Sequence, residues 1–115
     1  MRDWATIRER YLRDGLPIRL GGLAANLGRI RSFAARSASD QVVESLMDES
    51  KHFIEWTAAE AEVDTAAELV ELQVELAGWQ RSWSQTREDA TLREQLAKKA
   101  AIWSERVLGM SGLLG

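Results

Sequence analysis

Residues 16–36, LPIRLGGLAANLGRIRSFAAR, decide the fold because their apolar residues recur every three or four positions. That spacing places them on one face of an α-helix, and it is kept for about five turns. Pro17 suits the first turn of such a helix, where its missing N–H is not needed. The segment therefore predicts a helix that starts near Pro17 and runs to about Arg36. Its apolar stripe consists of Leu16, Leu20, Leu23, Leu27, Ile30 and Ala34.

A short helix is predicted before this segment. The carboxylate of Asp3 can cap the amides that follow it, and Trp4, Ile7 and Tyr11 share one face. The pair Asp14-Gly15 then stops the helix. The N-terminal part of the chain therefore adds one short amphipathic helix to the long one.

A third helix is predicted from Asp40, since the residues at 37–40 combine serine hydroxyls with a carboxylate that suits a helix start. Near Val63 the pattern slips, and residues 65–68 match a capping box, so a fourth helix should begin there. No Gly or Pro lies between Asp40 and Ala77, so one continuous long helix stays open as the alternative. The inward face of the third helix is Val42, Val43, Leu46, Ser50, Phe53, Ile54, Thr57 and Ala61.

Two further stretches complete the helical pattern, separated by a turn predicted at residues 86–89. Because connections this short join antiparallel neighbours, we predict an all-α fold. It is an antiparallel up-down four-helix bundle with a short extra N-terminal helix, forming a single domain over residues 1–115. The fourth stripe is Leu69, Leu72, Leu76, Trp79 and Trp83. The last stripe is Leu92, Leu96, Ala100, Trp103, Val107 and Met110.

The composition, 45% hydrophobic and 29% charged with no cysteine, is that of a soluble globular domain and fits the cytoplasm. The longest weakly polar run, at residues 20–28, is far too short and too glycine-rich to span a membrane. Residues 1–39 hold eight arginines against three acids, whereas residues 40–80 hold eleven acids against one lysine. We expect the two blocks to neutralise each other inside the bundle. The net charge of -3 argues against nucleic-acid binding as the function.

The five tryptophans offer two interpretations. Trp79 and Trp83 lie one helical turn apart, which is typical of core packing but also suits an aromatic-lined pocket. Trp56 projects to the edge of the apolar face of its helix, which favours a role at an interface.

Glu49 and His52 have the Glu-x-x-His spacing of helix-borne metal sites. A di-metal bundle needs a second such pair, and this chain has one histidine. The helical projection also turns His52 toward solvent. We therefore expect no metal site and no cofactor, and the absence of any triad or phosphate-loop pattern argues against an enzyme.

Gly21, Ala25 and Gly28 form a stripe of minimal side chains on the second helix, flanked by Arg29. Such a stripe permits close approach of another helix, either the first helix folding back or a second copy of the protein. We interpret the chain as a non-enzymatic protein that acts through protein contacts, as a homodimer or with a helical partner, through these residues and Trp56. The alternative is a ligand- or metal-binding bundle in which Glu49, His52, Trp79 and Trp83 mark the site.

Overall fold

The computed structural model describes residues 2–36 and 40–114, which form five helices and no strand. The all-helical prediction is confirmed, including the short additional helix at the N-terminus. The helices are α1 (Trp4–Arg13), α2 (Leu16–Ala34), α3 (Asp40–Ala58), α4 (Val63–Thr86) and α5 (Ala90–Ser111).

Local capping explains where several helices begin and end. The Asp3 carboxylate accepts hydrogen bonds from the Thr6 amide and hydroxyl, which lower the pKa of that carboxyl. Asp89 caps α5 by accepting from the amides of Thr91 and Leu92 at 2.9 and 3.2 Å. Gly112 ends α5 in the left-handed region, with φ of 75°. The Asp3 cap lies where the sequence predicts it, and Asp89 closes the turn predicted at residues 86–89.

Helices α3 and α4 are separate, which excludes the single long helix. The chain leaves α3 at Ala58 and α4 starts at Val63, two residues before the predicted capping box. Thr65 therefore lies inside the first turn of α4 and does not cap it, and the N-cap residue, Glu62, makes no side-chain cap. The predicted restart at residues 37–39 lies outside the described residues.

Helix α2 holds the bundle together because it packs against both α5 and α3. Helix α3 also contacts α4 and α1, and α4 packs less closely against α5. The side chains that meet at these contacts form one buried apolar core. Its fully buried members include Leu23, Leu27, Ile30, Val43, Met47, Ile54, Leu69, Leu72, Leu76, Trp83 and Val107.

Several apolar side chains depart from the predicted core, and three of them are large. Val42, assigned to the inward face of α3, is 44% exposed, and Leu92, assigned to the stripe of α5, is 39% exposed. Met47, which is not part of the predicted inward face of α3, is fully buried. Helical geometry explains the exchange, since Val43 and Met47 lie one turn apart on the buried face, while Val42 is rotated away from it.

Two arginines are buried with their charges satisfied. Arg19 donates to the Asp14 carbonyl at 2.7 Å and forms an ion pair with Glu60 at 2.6 Å. Arg93 donates to the Ala34 carbonyl at 2.8 Å and pairs with Asp40 at 2.9 Å. These contacts join the basic N-terminal block and the C-terminal helix to the acidic middle block, as the charge distribution predicts.

Candidate functional site

The small-residue stripe of α2 divides between two surfaces. Gly21 and Gly28 face α5: a methyl group on Gly21 would lie 2.8 Å from Leu113 Cδ1, and one on Gly28 would lie 3.7 Å from Ser104 Oγ. Ala25 and Arg29 are instead exposed. The two glycines therefore lie against the C-terminal part of the chain, at Leu113 and at Ser104 of α5, and the expectation that α1 covers them is wrong.

Helix α1 packs on α3 through stacked rings. Trp4 lies parallel to His52 with ring centroids 3.8 Å apart, and Tyr11 lies parallel to Phe53 at 4.1 Å. Trp56 contacts both stacks, at 6.3 Å from Trp4 and 5.9 Å from Tyr11. His52 is half-buried beneath this cover, whereas the helical projection turns it toward solvent. The cluster accounts for Trp56 by packing within the chain.

The Tyr11 hydroxyl anchors the same cluster from below. It donates to the Arg19 carbonyl at 3.0 Å and shares a 2.7 Å hydrogen bond with Thr57. Burial raises the pKa of Tyr11 to about 12, although the Thr57 hydrogen bond and the Arg19 charge oppose the rise. The phenol is therefore a neutral structural group that ties α1, α2 and α3 together.

Glu49 and His52 are both occupied by structural contacts. The Glu49 carboxylate accepts from Arg2 at 2.8 Å and from Asn26 at 3.0 Å. The His52 Nδ1 atom lies 2.9 Å from the Asp48 carbonyl. Across residues 2–36 and 40–114, no three metal-ligating side chains come together as a candidate metal site.

Trp79 and Trp83 belong to the core, at 7% and 1% exposure, and Trp79 also lines an opening between α4 and α5. We name this opening the α4–α5 cleft; its volume is about 500 Å³. The structure thus places Trp79 at a cavity, apart from the contacts made by Glu49 and His52. The cleft is lined by Val74, Glu75, Gly78, Trp79, Arg81, Ser82, Gln85, Thr86, Leu92, Gln95, Leu96 and Lys99.

A second opening, the α2–α5 groove, lies on the other side of α5 and has a volume of about 670 Å³. Its floor is made of small side chains and its edge carries Ile102, which is 58% exposed. The groove is lined by Arg31, Ser32, Ala35, Arg36, Glu94, Ala97, Lys98, Ala101 and Ile102.

Most residues that line the two openings were not predicted from the sequence. Gly78 offers a signal, since a glycine in the middle of a helix removes a side chain from the surface of the bundle. Ile102 offers another, because it stands beside the predicted stripe of α5 and not within it. An opening forms where two helices pack loosely against each other. The spacing of apolar residues within one helix does not predict how closely that helix packs against its neighbours.

No protein-family profile, curated protein or solved structure matches this chain. In the part of the chain that the structure describes, no helix is both long enough and apolar enough to cross a membrane.

Proposed function

We propose that this chain is a non-enzymatic protein that acts through helix contacts, and that it pairs with a second copy of itself across the outer face of α2 and α5. The observation that carries the proposal is the α2–α5 groove with the exposed Ile102 at its edge. A groove of small side chains next to a protruding isoleucine is self-complementary, because each copy supplies both a cavity and a side chain to fill it.

The outer side of α2 extends this face. Ile18, Ala25 and Ser32 are exposed and are spaced seven residues apart, so they follow one side of the helix. Arg29 lies beside this line, donates to Asn26 at 2.8 Å and is otherwise exposed. Ala25 and Arg29 thus stay in the proposed interface. Gly21 and Gly28 lie beneath the proposed interface, against the C-terminal part of the chain. Trp56 does not belong to the interface, because it packs against Trp4 and Tyr11 of α1.

Charge at the groove also suits a second copy. Arg31, Arg36 and Lys98 line it together with Glu94, and the Glu94 carboxylate pairs with Lys98 at 3.7 Å on an exposed surface. Exposed pairs of this kind exchange partners at little cost. Glu94 of one copy is therefore available to an arginine of the other.

The orientation of the helices supports a bundle with the antiparallel up-down order of α2 to α5. Arg19, near the start of α2, reaches Glu60 beyond the end of α3, and Ala34, at the end of α2, accepts from Arg93 near the start of α5. We infer this order from such end-to-end pairs. As for the compartment, we propose the cytoplasm, because a chain without cysteine suits a reducing environment.

Sedimentation velocity at micromolar concentration tests self-association. Burying one isoleucine contributes about 1.5–3 kcal/mol, so Ile102→Glu should weaken the dimer at least about tenfold. Val70→Glu is the matched control: Val70 is 52% exposed on α4, outside both openings, and receives the same charge. A wild-type chain that sediments as a monomer at all concentrations would refute the proposal. So would equal dissociation by the two variants.

Ligand binding is the second candidate function, and the α4–α5 cleft with Trp79 in its wall is the observation that favours it. Its volume lies within the range of pockets that hold small molecules. Native mass spectrometry of freshly purified protein tests this function directly. A bound species that disappears on denaturation supports it, and a mass equal to that of the bare chain counts against it.

A further inference from the structure

We propose that the α4–α5 cleft binds a small amphipathic anion, a molecule with an apolar body and a carboxylate or sulfonate head. This inference rests on the second function proposed above and is independent of self-association. It follows from three properties of the cleft: its apolar wall, its unpaired cations and a buried donor without an acceptor.

The wall of the cleft is suited to an apolar body. Trp79 and Leu96 form its buried part, while Val74 and Leu92 stand at its edges, 69% and 39% exposed. These four side chains give one part of the cleft an apolar surface, which an occupant would remove from water. Space is also available at Gly78, where an added methyl group would meet only Arg81 Nη2, at 4.0 Å.

The charges at the rim favour an anionic head. Arg81 and Lys99 line the cleft against a single acid, Glu75. Neither cation forms an ion pair or donates a side-chain hydrogen bond to any residue within 2–36 and 40–114. By contrast Arg106, further along the same pair of helices, already contacts Glu68 at 3.3 Å. The positive charge of Arg81 and Lys99 therefore remains unneutralised at the cleft, whereas that of Arg106 is neutralised by Glu68.

Trp79 lines the cleft and supplies the third property, a buried donor. Its side chain is 7% exposed, and its indole N–H has no hydrogen-bond acceptor among the residues that the structure describes. Buried donors are nearly always paired, since an unpaired one forfeits its hydrogen bond to water. The Trp83 indole N–H and the Ser50 hydroxyl are unpaired in the same way, so the Trp79 donor supports the proposal only together with the wall and the cations of the cleft.

The probe for the experiment is anilinonaphthalene sulfonate, an amphipathic anion whose fluorescence rises in apolar surroundings. Octanoate, octanol and octylamine, which share one chain length and differ in charge, then compete for its site. We expect octanoate to displace the dye at concentrations about tenfold lower than octylamine, with octanol in between, because two rim cations attract the head.

Two kinds of variant locate the site. Gly78→Leu should fill the cleft and lower dye affinity at least about tenfold, whereas Gly109→Leu should leave it unchanged. Gly109 is the matched control, because it too lies within a helix and an added methyl group would meet no atom within 4 Å. The double variant Arg81→Gln, Lys99→Gln changes only exposed side chains, so its fold is preserved. The double variant should weaken the binding of octanoate and leave the binding of octanol unchanged.

The outcomes distinguish a preference for anions from ligand binding in general. If octanol and octanoate compete equally in the wild-type chain, the cleft binds ligands but the anionic class is wrong. If the dye binds equally to the Gly78→Leu and Gly109→Leu variants, or does not bind at all, both the inference and ligand binding in this cleft are overturned.

Discussion

Replacing Arg93 by alanine should destabilise the fold more than any other exchange of a single charge. Arg93 is 5% exposed and donates to four carbonyls and one carboxylate. Two of these carbonyls, on Phe33 and Ala34, belong to the last turn of α2, and a third, on Arg36, lies two residues beyond its end. The guanidinium therefore caps α2 from α5.

The size of the effect follows from what the substitution would leave unpaired. Ala34 is fully buried, so its carbonyl would lose its Arg93 donor at a cost of about 1–3 kcal/mol. Asp40 would lose its 2.9 Å partner, although its side chain is 32% exposed and water would recover part of that loss. The contact of the guanidinium with the Trp83 ring, at 5.2 Å, adds about 0.5–1 kcal/mol. Together these losses amount to about 2–5 kcal/mol.

Urea unfolding followed by circular dichroism measures the loss, and Arg106→Ala is the matched control. Arg106 also lies on α5 and over a tryptophan, with its guanidinium 3.8 Å from the Trp103 ring, but its side chain is 38% exposed. Its removal should lower the free energy of unfolding by less than about 1 kcal/mol. Arg93→Lys keeps the charge and loses the forked geometry, so about half of the alanine effect should remain. Equal losses for Arg93→Ala and Arg106→Ala would refute the capping role.

Three further predictions concern Tyr11, the glycines of α5 and the cap of α5. The only tyrosine, Tyr11, should titrate near pH 12 by ultraviolet absorbance. Because folding raises this pKa, its contribution to the free energy of unfolding is fully present below pH 10. About 2–3 kcal/mol of that free energy should be lost as the pH rises toward 12, and the Tyr11→Phe variant should not show this loss. Gly109→Ala should stabilise the chain by about 0.5–1 kcal/mol, whereas Gly112→Ala should destabilise it by about 1 kcal/mol because φ is 75° there; thermal melts that rank them in the reverse order would contradict this. Asp89→Ala should cost about 1 kcal/mol in urea unfolding, and Asp89→Asn should restore most of it.

Periodicity predicts the helices and most of the core because each depends on neighbours three and four residues away. The stripe of α2 illustrates this, since all of its members from Leu20 to Ala34 are buried. Caps at Asp3 and Asp89 are local for the same reason. Val42 and Leu92 show the limit: each lies at the edge of an apolar face, where the position of the neighbouring helix decides the burial.

The polar contacts between helices lie beyond that limit. Arg19 has no acid on its own helix, yet Glu60 reaches it from beyond α3. Asn26 is likewise buried against Glu49 of α3. Both partners are distant in sequence, and only the packing of α2 on α3 brings them together. The candidate site follows the same rule, since Trp79 is recognisable as an aromatic wall but the cations beside it are not.

The distribution of these contacts also separates the two proposed activities. Arg19 and Arg93 hold opposite ends of α2, one to Glu60 beyond α3 and the other to α5, so polar contacts fix both ends of one helix of the proposed self-association face. Helix α4 is joined to α5 by the half-exposed ion pair of Arg106 and leaves the α4–α5 cleft open. Because the α2–α5 groove and this cleft lie on different sides of α5, a ligand should order α4 against α5 without disturbing the dimer. Octanoate should therefore raise the melting temperature while the dimer dissociation constant stays constant. A ligand that dissociated the dimer would show that both activities use one surface.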